Sequence, residues 1–147
     1  MRLGLLYEEL GILTIDEKHL MQARELFLRI IEETSEKGYF YYTAAACEYI
    51  ARLKDRLGNH MASAEYYEKT ETFHNESLLE IEFKPLKDRV NEKIKYAKAW
   101  NLIEKAKTFH KGEQHLNAQE SYRKASEILA NLPLFNYEAN YYGAWVF

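Results

Sequence analysis

Cysteine, proline and glycine are scarce in this chain of 147 residues, which contains one cysteine, two prolines and six glycines. A single cysteine cannot form a disulfide within the chain, which excludes a disulfide-stabilised fold and favours a reducing, cytoplasmic location. The small number of helix-breaking residues favours long helices. No apolar run reaches the roughly 18 residues that a membrane-spanning helix needs, so we expect neither a membrane span nor a signal peptide.

The overall composition is that of a folded globular protein. Apolar residues make up 47% of the chain and charged residues 29%, a balance that argues against intrinsic disorder. A chain of this length is long enough to bury a sizeable core, so we treat residues 1–147 as a single domain.

Glycine and proline mark the ends of the predicted helices. Gly38, Gly58 and Gly112 each follow a helix-periodic run directly, and glycine readily adopts the left-handed conformation that ends a helix. Pro85 and the segment 131–136 give two further breaks, because proline is not tolerated inside a helix. Thr14 and Glu17 have the spacing of a capping box and mark one more helix start. The pattern therefore predicts seven helices, at residues 2–14, 16–37, 39–57, 60–83, 86–111, 114–131 and 136–147.

Small and aromatic residues recur at matching places around three of the predicted turns. A small residue follows each turn, an aromatic residue lies four positions later, and another small residue lies twelve positions before. The first set is Ala23, Ser63 and Ala118, the second is Phe27, Tyr67 and Tyr122, and the third is Gly11, Ala51 and Ala106. This arrangement resembles the tetratricopeptide repeat, in which small residues let two helices approach and an aromatic side chain fills the gap between hairpins.

The resemblance covers nearly the whole chain and implies an all-α fold. Successive helical hairpins would stack into a right-handed α-α superhelix of about three and a half repeats, at 2–37, 39–83 and 86–131, with a half repeat at 136–147. Two features depart from the family. The small residues after the turns are forty and fifty-five residues apart instead of about thirty-four, and Lys105 takes an apolar position. The long helices are also similar to the hairpin arrays of soluble NSF attachment proteins.

Residues that could support catalysis or metal binding are few and badly placed. Glu71 and His74 form the one Glu-x-x-His sequence, whereas a di-iron helical bundle needs two such pairs and two further carboxylates. His110 and His115 lie on either side of a predicted turn, and Cys47 aligns with core positions. No glycine-rich phosphate-binding loop is present. We therefore expect a non-enzyme with no catalytic residues, no cofactor and no metal.

Charge is distributed unevenly along the chain. The predicted helix 86–111 carries eight lysines or arginines and three acidic residues, a balance of plus five, while the rest sums to minus eight and the whole to minus three. A basic helix on an acidic protein predicts a surface for an acidic protein or peptide, although an ordinary solvated face explains these charges equally well. The negative total argues against nucleic acid as the ligand.

The family resemblance implies a concave groove lined by the first helix of each hairpin. Arg52 and Lys107 are expected to be solvent-facing cationic contacts there, with Tyr41 and Trp100 as flat apolar anchors. Trp100 has an alternative place, packed between hairpins. The predicted partner-binding residues are Tyr41, Glu48, Arg52, Arg56, Trp100, Ile103, Lys107 and Lys111.

Two functions remain open at this level. The favoured one is a non-catalytic helical-repeat scaffold that binds a partner protein or peptide. The alternative is a self-associating regulatory or sensor domain of a longer protein. A second copy of the chain would then bind through the terminal helix 136–147 or through the hairpin tip Phe83–Leu86. The longer spacing between repeats predicts that this tip projects by roughly 11 Å beyond its neighbours.

Overall fold

The computed structural model describes residues 17–132, in which the chain forms α-helices joined by turns and contains no strand. The prediction of an all-helical fold is confirmed for this part of the chain. The predicted helices at 2–14 and 136–147 lie outside the described residues. In chain order the helices are α1 (Glu17–Glu36), α2 (Phe40–Arg56), α3 (His60–Leu78), α4 (Lys84–Lys111) and α5 (His115–Ala130).

Two of the predicted glycine stops end their helices as expected. Gly38 and Gly58 have φ angles of 76° and 77°, in the left-handed region that glycine adopts without steric cost. The chain then turns at once into the next helix. Asn59 is the capping residue before α3, and its side-chain oxygen accepts a hydrogen bond from the backbone N–H of Ala62 at 3.2 Å. This cap satisfies one of the backbone donors that every helix start leaves without an internal partner.

The third glycine does not have the conformation that we expected. Gly112 has a φ of −84°, and the left-handed residue is Glu113, with a φ of 59°. Helix α4 ends at Lys111, so Gly112 lies one position before the left-handed place. The turn closes with hydrogen bonds from the Glu113 N–H to the His110 carbonyl and from the Gln114 N–H to the Phe109 carbonyl. A non-glycine residue is therefore held in the left-handed region here by the helix-ending hydrogen bonds.

The segment around Pro85 also differs from the prediction. Helix α3 ends at Leu78, five residues before the predicted end at 83, and α4 begins at Lys84 with Pro85 in its first turn. Proline is tolerated there because the first N–H groups of a helix have no internal acceptor. The extra length thus lies in α4 alone, whose 28 residues span about 42 Å. The predicted projection of two paired helices is wrong.

Within residues 17–132 each helix packs chiefly against the helices before and after it in the sequence. The small residues lie where neighbouring helices meet. Ala51 on α2 and Ser63 on α3 are both fully buried, and the Ser63 hydroxyl donates to the Ala51 carbonyl at 2.7 Å. A side chain can reach the backbone of the next helix in this way only when the two helices lie close together.

Most of the predicted aromatic fillers are also buried. Tyr67 and Tyr122 have almost no exposed surface, which confirms their core position, whereas Phe27 is half-buried and stacks on Tyr49 at 5.0 Å. Cys47 lies in the core of α2, as expected from its alignment. A cluster of buried apolar side chains joins α4 and α5 and contains Ala99, Ile103, Ala106, Ala118, Tyr122, Ala125, Leu129 and Leu132.

None of the helices within residues 17–132 combines the length and the apolar character needed to cross a membrane. The longest of them, α4, has charged side chains along its whole length.

Replacing Ala51 by leucine should destabilise the fold, because the added atoms have no space between α2 and α3. We expect the free energy of unfolding, measured by urea denaturation, to fall by about 1–3 kcal/mol. Ala130→Leu, at an exposed position at the end of α5, is the control and should change it by less than about 0.5 kcal/mol. An Ala51→Leu protein as stable as the wild type would show that α2 and α3 do not need their close contact.

Candidate functional site

An open cleft of about 450 Å³ lies where the turn between α1 and α2 meets the connection between α3 and α4. We call it the tyrosine cleft, because tyrosine side chains form one wall. Its lining residues are Gly38, Tyr39, Phe40, Tyr41, Tyr42, Ser77, Glu80, Ile81 and Leu86.

Four consecutive aromatic residues at the start of α2 build the first wall of the cleft. Successive side chains of a helix point about 100° apart, so such a run must place some rings inward and others outward. Phe40 stacks on Phe73 of α3 at 6.0 Å, and Tyr41 packs edge-on against His74 at 5.7 Å. Tyr39 and Tyr42 are left 57% and 64% exposed. The inward rings anchor the wall, and the outward rings are available for contact.

The opposite wall of the tyrosine cleft is aliphatic. Ile81 and Leu86 line it, and the neighbouring Leu79 and Phe83 are 83% and 68% exposed. Among the described lining residues, Glu80 is the only one with a charged side chain. The cleft therefore presents a mainly apolar surface with three tyrosine hydroxyl groups, one serine hydroxyl group and one carboxylate. This is the composition of a site for an apolar ligand that carries a few polar groups.

His74 packs against Tyr41 on the buried side of the cleft wall. It is 4% exposed, and its Nδ1 atom has no hydrogen-bond partner. Burial, together with the nearby charge of Lys93, lowers the pKa of His74 to about 4. Glu71, the other member of the Glu-x-x-His sequence, pairs instead with Lys98 on α4 at 3.6 Å. The two side chains of that sequence thus have different surroundings.

A second group of polar side chains joins three helices at the other end of α2. Asp55, His60, Glu104 and Lys107 form what we call the junction cluster. His60 Nδ1 lies 2.8 Å from Glu104 Oε2 and 3.1 Å from Asp55 Oδ1. Lys107 Nζ lies 2.9 Å from Asp55 Oδ1 and 3.2 Å from Glu104 Oε1. The four groups therefore close a ring, and Glu104 is its fully buried member.

The electrostatics of the junction cluster follow from its burial. Burial, reinforced by a hydrogen bond with Asp55, raises the pKa of Glu104 well above its ordinary value. Burial also opposes ionisation of Asp55, but hydrogen bonds from Glu104 and Lys107 and the charge of Lys107 outweigh it, so the pKa of Asp55 is lowered. Burial lowers the pKa of His60 as well, and the charges of Lys107 and Lys111 act in the same direction. Asp55 and Lys107 are therefore the charged pair of the cluster.

The junction cluster was not predicted from the sequence. Asp55, His60 and Glu104 each offer one ligand atom, and these atoms lie within 4.8 Å of one another, so the three side chains could hold a metal ion. Glu104 is more than forty residues from the other two along the chain. The sequence contains one indication of this cluster, which is the short spacing of Asp55 and His60 on either side of the Gly58 turn.

The predicted partner-binding residues do not form one surface. Tyr41 lines the tyrosine cleft, but Arg56 lies fifteen residues further along α2, a distance of about 22 Å. Arg52 is half-exposed and pairs with Glu48 at 3.6 Å. Lys111 donates to the Gly58 carbonyl at 3.1 Å.

Three of the residues predicted to line the groove lie elsewhere in the structure. Ile103 is fully buried in the core between α4 and α5, so it cannot contact a partner. Lys107 is not solvent-facing, because its ammonium group neutralises the junction cluster. Trp100 is half-buried and stacks on Tyr67 of α3 at 6.0 Å, so it packs between α3 and α4.

Comparisons of this chain with protein-family models, with curated proteins and with solved structures find no match. The tetratricopeptide resemblance therefore stays a prediction that depends on the small and aromatic residues. The function of the chain has to be inferred from the tyrosine cleft and the junction cluster.

The buried His74 should make the protein less stable in acid. Because its pKa is lowered from 6.5 to about 4, the unfolded chain binds a proton that the folded chain does not. The free energy of unfolding should thus fall by up to about 3 kcal/mol as the pH drops from about 6.5 to about 4. His74→Leu should lessen this fall and should unfold less readily than the wild type at pH 5 in urea titrations.

The control for this measurement is His19→Leu, which changes an exposed histidine of α1. It should keep the pH dependence of the wild type. If His74→Leu and His19→Leu lose stability equally between these pH values, His74 is not the group responsible.

Proposed function

We propose that this chain is a non-catalytic helical-repeat scaffold that binds an extended segment of a partner protein in the tyrosine cleft. The observation that carries the proposal is the pair of exposed rings, Tyr39 and Tyr42, on the wall of an open apolar cleft. Tyrosine is enriched at protein interfaces, because it offers a large apolar ring together with a hydroxyl group that can form hydrogen bonds.

The packing supports a repeat architecture of the tetratricopeptide type. Helices in contact with their chain neighbours, and small residues at the places of closest approach, are what stacked hairpins require. We therefore propose that the described helices belong to a right-handed superhelix of about three and a half hairpins. In such an array the ligand binds on surfaces that the stacking leaves uncovered.

The volume of the cleft and the secondary structure around it favour a ligand in an extended conformation. A volume of about 450 Å³ lies at the lower end of the range of about 300–1,000 Å³ for ligand pockets, so it admits a few side chains rather than a whole helix face. Residues 17–132 offer no strand edge to which a partner strand could add. A polyproline II segment needs no such pairing and docks in grooves lined by aromatic rings.

The charge of the cleft favours a basic residue beside that segment. Lys107 is neutralised in the junction cluster, which removes one of the two cations expected to select an acidic partner. Glu80 lies in the cleft itself and can pair with a lysine or arginine of the ligand. The proposed ligand is thus an extended, proline-containing segment with a basic side chain.

The absence of catalysis is part of the proposal, and one buried group supports it. Burial raises the pKa of the Cys47 thiol to about 11, so it remains protonated and is a poor nucleophile. We propose a cytoplasmic location, where a buried free thiol stays reduced.

Self-association is a second candidate, because Leu79 and Phe83 beside the cleft are strongly exposed. In this alternative a second copy covers the tip, and the chain is a self-associating regulatory or sensor domain of a longer protein. Sedimentation equilibrium distinguishes the two. A dimer that is lost in Leu79→Ser/Phe83→Ser supports self-association, and a monomer at all concentrations opposes it.

Selection of peptides from a random display library tests ligand binding directly. Peptides selected on the wild-type protein should contain proline and a basic residue and should bind with micromolar Kd in calorimetry. Tyr39→Ser/Tyr42→Ser should weaken this binding by about thirtyfold, since we expect the two tyrosines together to contribute about 2 kcal/mol. Circular dichroism should show unchanged helix content, because both rings are exposed.

The matched control removes exposed apolar side chains away from the cleft. Met61→Ser/Leu116→Ser changes residues on α3 and α5 that are about as exposed as the two tyrosines or more so. These changes should leave the Kd of the selected peptides unchanged. Selected peptides that bind both double variants equally well would mean that the tyrosine cleft is not the binding site.

A further inference from the structure

Three side chains suited to binding a metal ion converge in the junction cluster. They are the carboxylate of Asp55 at the end of α2, the imidazole of His60 at the start of α3 and the carboxylate of Glu104 on α4. Because three different helices supply these groups, helix packing fixes their separation. The site is therefore largely formed in the folded protein without an ion.

The spacing of the donor atoms fits a small divalent ion. Two ligand atoms at about 2.1 Å from a zinc ion lie about 3.0–3.4 Å from each other in octahedral or tetrahedral geometry. His60 Nδ1 lies 2.8 Å from Glu104 Oε2 and 3.1 Å from Asp55 Oδ1, so small movements would admit the ion. Calcium prefers oxygen ligands and longer bonds of about 2.3–2.6 Å, and it suits the site less well.

Lys107 occupies the place of an outer partner of such a site. Its Nζ atom lies 2.9 Å from Asp55 Oδ1, an oxygen that keeps a second lone pair for an ion. It also contacts Oε1 of Glu104, whereas Oε2 is the oxygen that faces His60. A hydrogen bond to the second oxygen orients a metal-binding carboxylate. The side chains of His60 and Asp55 are 15% and 29% exposed, which gives an ion a path from solvent.

We propose that the junction cluster binds a divalent transition-metal ion, with zinc as the best fit, through Asp55 Oδ1, His60 Nδ1 and Glu104 Oε2. Three protein ligands leave the remaining coordination position for water. The ion ties the end of α2 and the start of α3 to α4. It braces the scaffold about 20 Å from the tyrosine cleft, so the site is independent of the proposed peptide binding.

Zinc titration of the metal-free protein tests the proposal. The exposed His110 and His115, whose Nδ1 atoms are 3.1 Å apart, are a competing surface site and are first replaced by glutamine. This background protein should bind one zinc ion in calorimetry. A free zinc concentration about a hundred times the Kd should raise the Tm of this background protein by about 5–10 °C. Cobalt(II) should give a visible absorption spectrum that zinc abolishes.

Two further variants remove one ligand each with little change of shape. Glu104→Gln and Asp55→Asn, made separately in the same background, should weaken zinc binding at least about tenfold and abolish the cobalt spectrum. Their helix content, followed by circular dichroism, shows whether each is folded. The proposal is overturned if the background protein binds no zinc, or if both folded variants bind zinc as tightly as the background.

Discussion

The close approach of neighbouring helices is the constraint on which the rest of the structure depends. The hydrogen bond from the Ser63 hydroxyl to the Ala51 carbonyl exists only because neither residue has a bulky side chain, and Ala106 and Ala118 are buried in the same way between α4 and α5. Helices held this close exclude water along their contact. The larger rings of Tyr67 and Tyr122 can then fill the space beside them, so each pair needs small and large residues in alternation.

Packing between chain neighbours has a further consequence at the ends of the helices. A helix that contacts mainly the helix before and the helix after it leaves its turns uncovered. At one end of α2 the uncovered surface is apolar and aromatic, with Tyr39 and Tyr42 exposed beside Ile81 and Leu86. At the other end it is polar, and Asp55 bonds to His60 of α3 and to Lys107 of α4. Contact with a ligand is thus favoured at the first end, where apolar side chains of the described residues are exposed.

Local features could be predicted from the sequence, and features that depend on packing could not. The stops at Gly38 and Gly58 and the burial of Tyr67 follow from residues close together in the chain. The burial of Ile103 was missed, because neighbouring residues of a helix point about 100° apart and a small error in helix phase moves a side chain from surface to core. The junction cluster was missed because Glu104 meets His60 only after α3 and α4 have packed. The tyrosine cleft was missed, apart from Tyr41, because its second wall comes from the α3–α4 connection, which was assigned to helix.

A polar junction between three helices is not the arrangement that stability alone would favour. Well-packed apolar side chains of similar volume often stabilise a fold as much as a buried ion pair or more, because the charged groups lose their hydration. Glu104 is fully buried, and the ammonium group of Lys107 contacts it at 3.2 Å. An apolar junction would, however, offer no donor atoms to an ion. The arrangement of two carboxylates and an imidazole at hydrogen-bonding distance is therefore better explained by a role that needs those atoms than by packing between α2, α3 and α4.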